Sequence, residues 1–200
     1  MSDASTTAQL VRQLLNSKGR ATLTIESDSM APLFVPMDCI QIEAVSVDQL
    51  RQGDIVTVVA KDALYTHRYF QTLVHHNRRY LLTRGDQPLA YDPAWLESQL
   101  LGRVVKCEKQ SASLILSSGI GRRLNRHLTT IARFENWLYG QGTPNMAQLA
   151  NFETRLLGRW WRQDRVRLTL LRAMRGFWLR WSRLWVYLAV MYASKAKSVT

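Results

Sequence analysis

Ala21-Thr22-Leu23-Thr24-Ile25-Glu26-Ser27-Asp28-Ser29-Met30-Ala31-Pro32 begins as a strand and ends as a turn. Ala21, Leu23 and Ile25 alternate with polar residues, which predicts a half-buried strand that delivers the chain to Ser29. A lone Ser-Met pair carries little information. Weight comes from the order of the pieces that follow: Pro36-Met37-Asp38, Gly53-Asp54-Ile55-Val56, His67-Arg68, Gly85-Asp86 with Asp92, and Leu101-Gly102-Arg103-Val104.

Outward from that stretch, short β-rich runs continue at Cys39 to Val45, Asp54 to Ala60, Tyr65 to Val74, Arg79 to Thr83, Gly102 to Lys106 and Ala112 to Leu116. Turn residues bound each run, so a mainly antiparallel β domain over residues 21–118 is expected. Before it, residues 1–20 read as a helical lead-in. Ala8, Val11, Leu14 and Leu15 share a helical face, and Gly19 stops the helix. After Gly119 the period changes. Ile120, Leu124, Leu128, Ile131, Phe134 and Leu138 recur at three or four, predicting a helix to about Tyr139. Gly140 to Pro144 breaks it, Met146 to Trp161 forms a second amphipathic stretch, and Asp164 can cap a third from Arg165 to about Ala193. Residues 119–200 therefore read as a helical, basic, amphipathic C-terminal region that serves as an attachment device.

Charge divides the chain in the same place. Residues 1–110 carry 12 Lys and Arg against 12 Asp and Glu, whereas residues 111–200 carry 15 against 3, which accounts for the net charge of +12. Thirteen of those cations are Arg, and six of the seven Trp lie there too. At about 100° per residue, Arg165, Arg172, Arg180 and Arg183 fall on one stripe of the third helix. Leu170, Met174, Phe177, Trp181, Trp185 and Leu188 face the other way, and Arg167 breaks the pattern. Such a helix suits an anionic membrane interface. The other readings are packing within the chain or an oligomer, and binding of nucleic acid, since Arg serves phosphate of either kind. The broad aromatic face favours lipid.

Cys39 and Cys107 are too few and too isolated for a disulfide framework or a metal site and read as buried free thiols. Neither composition nor spacing implies a cofactor. No stretch reaches the roughly 18 to 20 apolar residues of a spanning helix, and Met1 to Arg20 lacks a signal-peptide core. The expectation is neither export nor a transmembrane helix, with the protein on the cytoplasmic side and peripherally attached to the membrane, because dense Arg stays there.

A serine hydroxyl needs a base to take its proton. Of four histidines, His67 lies in an expected strand, His75 and His76 in a solvated hairpin turn beside Asn77, and His127 in the basic helical region. An imidazole suits proton transfer near neutral pH. Asp86 or Asp92 could orient it, although Asp86 could merely make a turn after Gly85 and Asp92 could merely cap a helix over Ala94 to Leu100.

The ordered set Ser27 to Pro32, Asp38, Gly53 to Val56, His67-Arg68, Thr83-Arg84-Gly85-Asp86 and Leu101 to Val105 resembles the catalytic domain of type I signal peptidases. Those enzymes share a superfamily with the LexA-type self-cleaving repressors. The resemblance covers about Thr22 to Lys106 and implies a mainly β signal-peptidase-like catalytic domain. It also implies Ser29 as nucleophile, His67 as base in the manner of the endoplasmic-reticulum and archaeal type, Asp92 as the orienting acid, and Asp86 as a nearby structural or supporting acid. Ser27 would join the Ser29 N–H at the oxyanion. Asp28 and Met37 stand where the family carries glycine. The implied activity is a serine endopeptidase removing a leader from a precursor protein or peptide near a membrane. Its rival is a catalytically silent docking module whose Arg/Trp helices bind a membrane or nucleic acid.

Overall fold

The computed structural model describes residues 3–60, 63–110, 112–138 and 165–197. Helix α1 (Asp3–Lys18) leads through Gly19, which holds φ +70°, into the sheet. Eight strands follow: β1 (Arg20–Thr24), β2 (Cys39–Glu43), β3 (Ile55–Val59), β4 (Leu64–His75), β5 (Arg78–Arg84), β6 (Trp95–Leu96), β7 (Leu100–Glu108) and β8 (Ser113–Ile115). Every pairing is antiparallel, in the order β1-β2-β7-β3-β4-β5-β6, with β8 on β7. Helices α2 (Gly119–Leu138) and α3 (Arg165–Lys197) complete the described chain. The second amphipathic stretch, Met146 to Trp161, lies outside the described residues.

The sheet curls into a half-barrel. Its register shifts between Gln41 and Ile42, between Thr57 and Val58, and between Tyr69 and Gln71, and such bulges bend a strand and increase its twist. Close approach at one of these bends needs Gly102, where an added Cβ would lie 2.4 Å from the Glu43 carbonyl oxygen. Along β1 the expected alternation holds, with Ala21 buried, Leu23 half-buried and Arg20, Thr22 and Thr24 exposed, and Ile25 just past the strand is buried. The core inside the curl joins Val11 and Leu15 of α1 to Ile40, Ile42, Leu101, Val104 and Leu114.

Alternation fails in β4 and β5 for a physical reason. His67, Arg68, Tyr69 and Phe70 are all buried, as are Leu81 to Arg84, because both faces of the sheet are covered there. One face packs Tyr69 and Leu81 with Val56, Val58 and Trp95. The other packs Phe70, Leu82 and Tyr91 against Ala132 of α2. Helix α2 therefore supplies a wall of the same core, with Leu124 and Leu128 in the main cluster, while Phe134 faces water. The change of period at Gly119 marks where strands give way to helices, and the expectation of a purely attaching region beyond it does not hold for α2. Ala94 to Leu100, readable as a capped helix, is the short strand β6 and a 3-10 turn (Glu97–Gln99) leading into β7.

Helix α3 rests on α2 and β8 through small side chains, with Ser182, Val186 and Ala189 buried and Val190 and Ala193 beside them. Opposite that narrow stripe, Phe177, Trp181, Leu184, Trp185, Leu188, Met191 and Tyr192 face outward, and Arg180 and Arg183 are exposed on one flank. The side chains of Leu170 and Met174 on the apolar face, and of Arg165 and Arg172 on the basic stripe, lie outside what is described. Among the described residues no helix is long and apolar enough to cross a membrane.

Met37 occupies the turn between Ser29 and β2 with φ 74°, in the left-handed region, and its side chain is 78% exposed. That conformation costs a non-glycine residue about 1 kcal/mol. The next residue, buried Asp38, holds the turn by accepting from the Val35 N–H at 3.0 Å and from Lys109 Nζ. Met37→Gly is expected to stabilise the protein by about 0.5 kcal/mol, after allowance for the greater freedom of glycine in the unfolded chain. Urea unfolding checks this, and a lower midpoint for the variant would refute it.

Candidate active site

Ser29 sits at the start of a turn anchored by three side chains. Met30, Leu33 and Phe34 are buried in the main core, while the Ala31 N–H donates to the Asp28 carbonyl at 2.8 Å and that of Phe34 to the Met30 carbonyl at 3.1 Å. The segment after β5 locks the turn from the other side. The Gln87 N–H donates to the Ser29 carbonyl at 2.8 Å, and Gln87 Nε2 to the Ala31 carbonyl at 3.1 Å. Gly85 permits this approach, since a Cβ there would lie 2.8 Å from the Ser29 carbonyl oxygen and 2.7 Å from Pro88.

Three of the residues read from the sequence come together in a line. His67 Nε2 is 3.0 Å from Ser29 Oγ, and His67 Nδ1 is 2.6 Å from Asp92 Oδ2. With the proton on Nδ1, the ring donates to the carboxylate and leaves Nε2 free to accept from the serine. Strand β4 holds His67 by pairing it with Val56 of β3, and Asp92 is tied to β5 by its N–H donating to the Thr83 carbonyl at 2.9 Å. Ser27 Oγ lies 3.2 Å from Ser29 Oγ, beside the nucleophile where a developing oxyanion would need a donor. Asp28 is exposed.

No protein-family model matches the chain, and no curated protein does.

Asp86 does not share the line. Both of its carboxylate oxygens are taken by Arg68, Oδ1 from Nε at 2.8 Å and Oδ2 from Nη2 at 2.7 Å, on the face of β4 opposite His67. Of the structural or supporting part read for it from the sequence, these contacts fit the structural one: Asp86 is the buried partner of Arg68. His75 and His76 are exposed at the β4–β5 hairpin, where His76 and Asn77 at φ 46° and 58° form the two-residue turn. His127 lies on α2, its ring centroid 6.1 Å from that of Trp185.

Two residues at the site were given no role by the sequence. Thr83 Oγ1 donates to Asp92 Oδ2 at 2.5 Å, and Trp95 Nε1 donates to Thr83 Oγ1 at 2.8 Å. The carboxylate is thus gripped by two donors on one oxygen, and the threonine hydroxyl is itself oriented by an indole. The signal for Trp95 was its isolation as the single Trp of the neutral half. Tyr65 covers this indole at 5.3 Å between ring centroids and meets the His67 ring edge-on at 6.0 Å.

A groove of about 610 Å³ opens beside the serine, with Leu23 to Ser27 along one wall and Ala63 to His67 along the other. Thr7 of α1 closes part of it. Among the described residues no three His, Cys, Asp or Glu side chains gather where they could hold a metal ion. Both cysteines are free and away from this line. Cys107 is buried, and burial pushes its thiol up to about 12, so it stays protonated at neutral pH; Cys39 is half-buried.

Proposed function

We propose that the protein is a serine endopeptidase of signal-peptidase type that removes a leader segment from a precursor protein or peptide near a membrane surface. The observation that carries this reading is the line Ser29 Oγ, His67 Nε2, His67 Nδ1, Asp92 Oδ2, with links of 3.0 and 2.6 Å. The substrate would lie extended in the groove between Leu23–Ser27 and Ala63–Thr66. His67 takes the Ser29 proton as Oγ attacks the scissile carbonyl, and Asp92 stabilises the imidazolium that forms. The Ser27 hydroxyl and the Ser29 N–H receive the oxyanion. His67 then passes the proton to the leaving amine, and a water activated by the same imidazole releases the acyl group from Ser29.

The attachment part of the proposal rests on α3. Phe177, Trp181, Trp185 and Leu188 face outward opposite the buried Val186 and Ala189, with Arg180 and Arg183 exposed alongside. This arrangement fits a helix lying in an anionic lipid interface on the cytoplasmic side, aromatic face down and guanidinium groups at the headgroups. The protein is expected to sediment with phosphatidylglycerol vesicles, and Trp181→Ser with Trp185→Ser is expected to weaken that binding about tenfold or more. Failure to sediment, together with salt-sensitive binding to an oligonucleotide, would replace lipid by nucleic acid as the partner.

For the chemistry, a serine-directed acylating probe read by intact mass is expected to label the wild type at Ser29. Folded wild-type protein that takes no label would leave the non-catalytic docking module as the better account.

A further inference from the structure

We infer that α2 is a splint for the Ser29–His67–Asp92 line, with Asn136 and Glu135 as positioning residues that fix Asp92 from the far side of the sheet. This inference rests on the proposed catalytic role of that line. It starts from the alternation of extended chain, in which neighbouring residues point to opposite faces. His67, Asp92 and the Thr83 that donates to Asp92 each have such a neighbour. His67 is followed by Arg68, Thr83 by Arg84, and Asp92 is preceded by Tyr91.

All three neighbours are held by α2. Arg68 Nη1 donates to Asn125 Oδ1 at 2.6 Å and to Thr129 Oγ1 at 2.9 Å. Arg84 Nη1 donates to Asn136 Oδ1 at 2.5 Å, and its Nη2 to Glu135 Oε2 at 2.9 Å. Asn136 Nδ2 donates in turn to the Tyr91 hydroxyl at 2.6 Å. Asn125, Thr129, Ala132 and Asn136 recur at helical spacing, so one stripe of α2 reads the back of the His67, Thr83 and Asp92 segments.

The Asn136 amide accepts from Arg84 and donates to Tyr91. It therefore sets the separation of the Thr83-Arg84 and Tyr91-Asp92 segments on one face. On the other face the same separation is set by Thr83 donating to Asp92. Arg84, Glu135, Asn136 and Tyr91 are all buried. A buried ion pair stabilises a fold little better than apolar packing of the same volume, but its hydrogen bonds fix direction as well as distance. Direction is what a carboxylate aimed at one imidazole nitrogen requires. Helix α3 adds a contact to the same region through Arg175, which donates to the Gln87 carbonyl and lies 3.5 Å from Glu135.

The test compares Ser29 acylation by a small serine-directed probe in wild type, Asn136→Ala, Glu135→Gln and Tyr91→Phe. It is read together with thermal unfolding and with the downfield proton resonance of the His67 Nδ1–H bonded to Asp92. Asn136→Ala is expected to slow acylation about tenfold or more and to weaken the downfield resonance, as a misaimed acid should. Glu135→Gln keeps an acceptor for Arg84 but removes its countercharge, and is expected to show the same two signs more weakly than Asn136→Ala. Tyr91→Phe removes a single hydroxyl and is expected to show the same two signs, more weakly, in a protein that remains folded. It carries the test if Asn136→Ala does not fold. Wild-type acylation and an unchanged resonance in folded Tyr91→Phe and Asn136→Ala would overturn the inference while leaving the triad standing. A wild type that is never acylated would overturn both.

Discussion

Asp92→Asn is expected to slow acylation of Ser29 by about 10⁴-fold while leaving the protein folded. Asp92 Oδ2 accepts from His67 Nδ1 at 2.6 Å and from Thr83 Oγ1 at 2.5 Å, so this one oxygen sets both the tautomer and the tilt of the ring. Asparagine with its NH₂ in that position donates one hydrogen to Nδ1 and the other to Thr83 Oγ1, which accepts it as it accepts from Trp95 Nε1. The ring then carries its proton on Nε2, where it faces Ser29 Oγ and cannot accept. Ser29→Ala should lose labelling entirely, and His67→Ala should fall at least as far as Asp92→Asn. Rates measured by intact mass over time give the comparison. An Asp92→Asn protein that labelled at the wild-type rate would remove Asp92 from the mechanism.

The largest loss of stability is expected at Arg68→Met. Arg68 is 0% exposed and holds Asp86 through two hydrogen bonds while also donating to the Gly53 carbonyl at 3.1 Å and to two side chains of α2. Methionine fills the space of the stem and removes the charge, so Asp86 is left as a buried carboxylate without its guanidinium. Breaking one side of such a pair costs about 4 kcal/mol, which lowers the melting temperature of a chain this size by roughly 10 °C. Removing both charges together, as Arg68→Met with Asp86→Leu, should recover part of the loss because no unpaired charge remains. Calorimetry of the three proteins decides it. A single variant melting with the wild type would show that Asp86 had found water or another partner.

Ser29 and His67 were legible in the sequence from residue types in order, whereas those types left Asp86 and Asp92 open and only the family resemblance pointed to Asp92. Short strands bounded by turns were legible for the same reason that β1 alternates, one wet face and one dry. The back of the sheet was not. Arg68 and Arg84 stood in the motifs without a partner, and Asn125, Thr129 and Asn136 had no role, because nothing local distinguishes a polar residue facing water from one facing a buried guanidinium. The partner of Asp86 was hidden on the same account, since Arg68 holds it across the sheet from His67. The run from Trp95 to Leu100 was ambiguous because two strand residues and a single 3-10 turn are too short to show a period.

Helix α3 cannot conceal its outward aromatics by rolling about its own axis. Any rotation that turned Trp181 and Trp185 inward would withdraw Val186 and Ala189 from the core, and their small neighbour Ser182 leaves no room for an indole in their place. In a dilute aqueous sample this frustration has a practical outcome. Copies are expected to associate through these outward side chains, so that the apparent size by light scattering rises with concentration and falls when detergent is added.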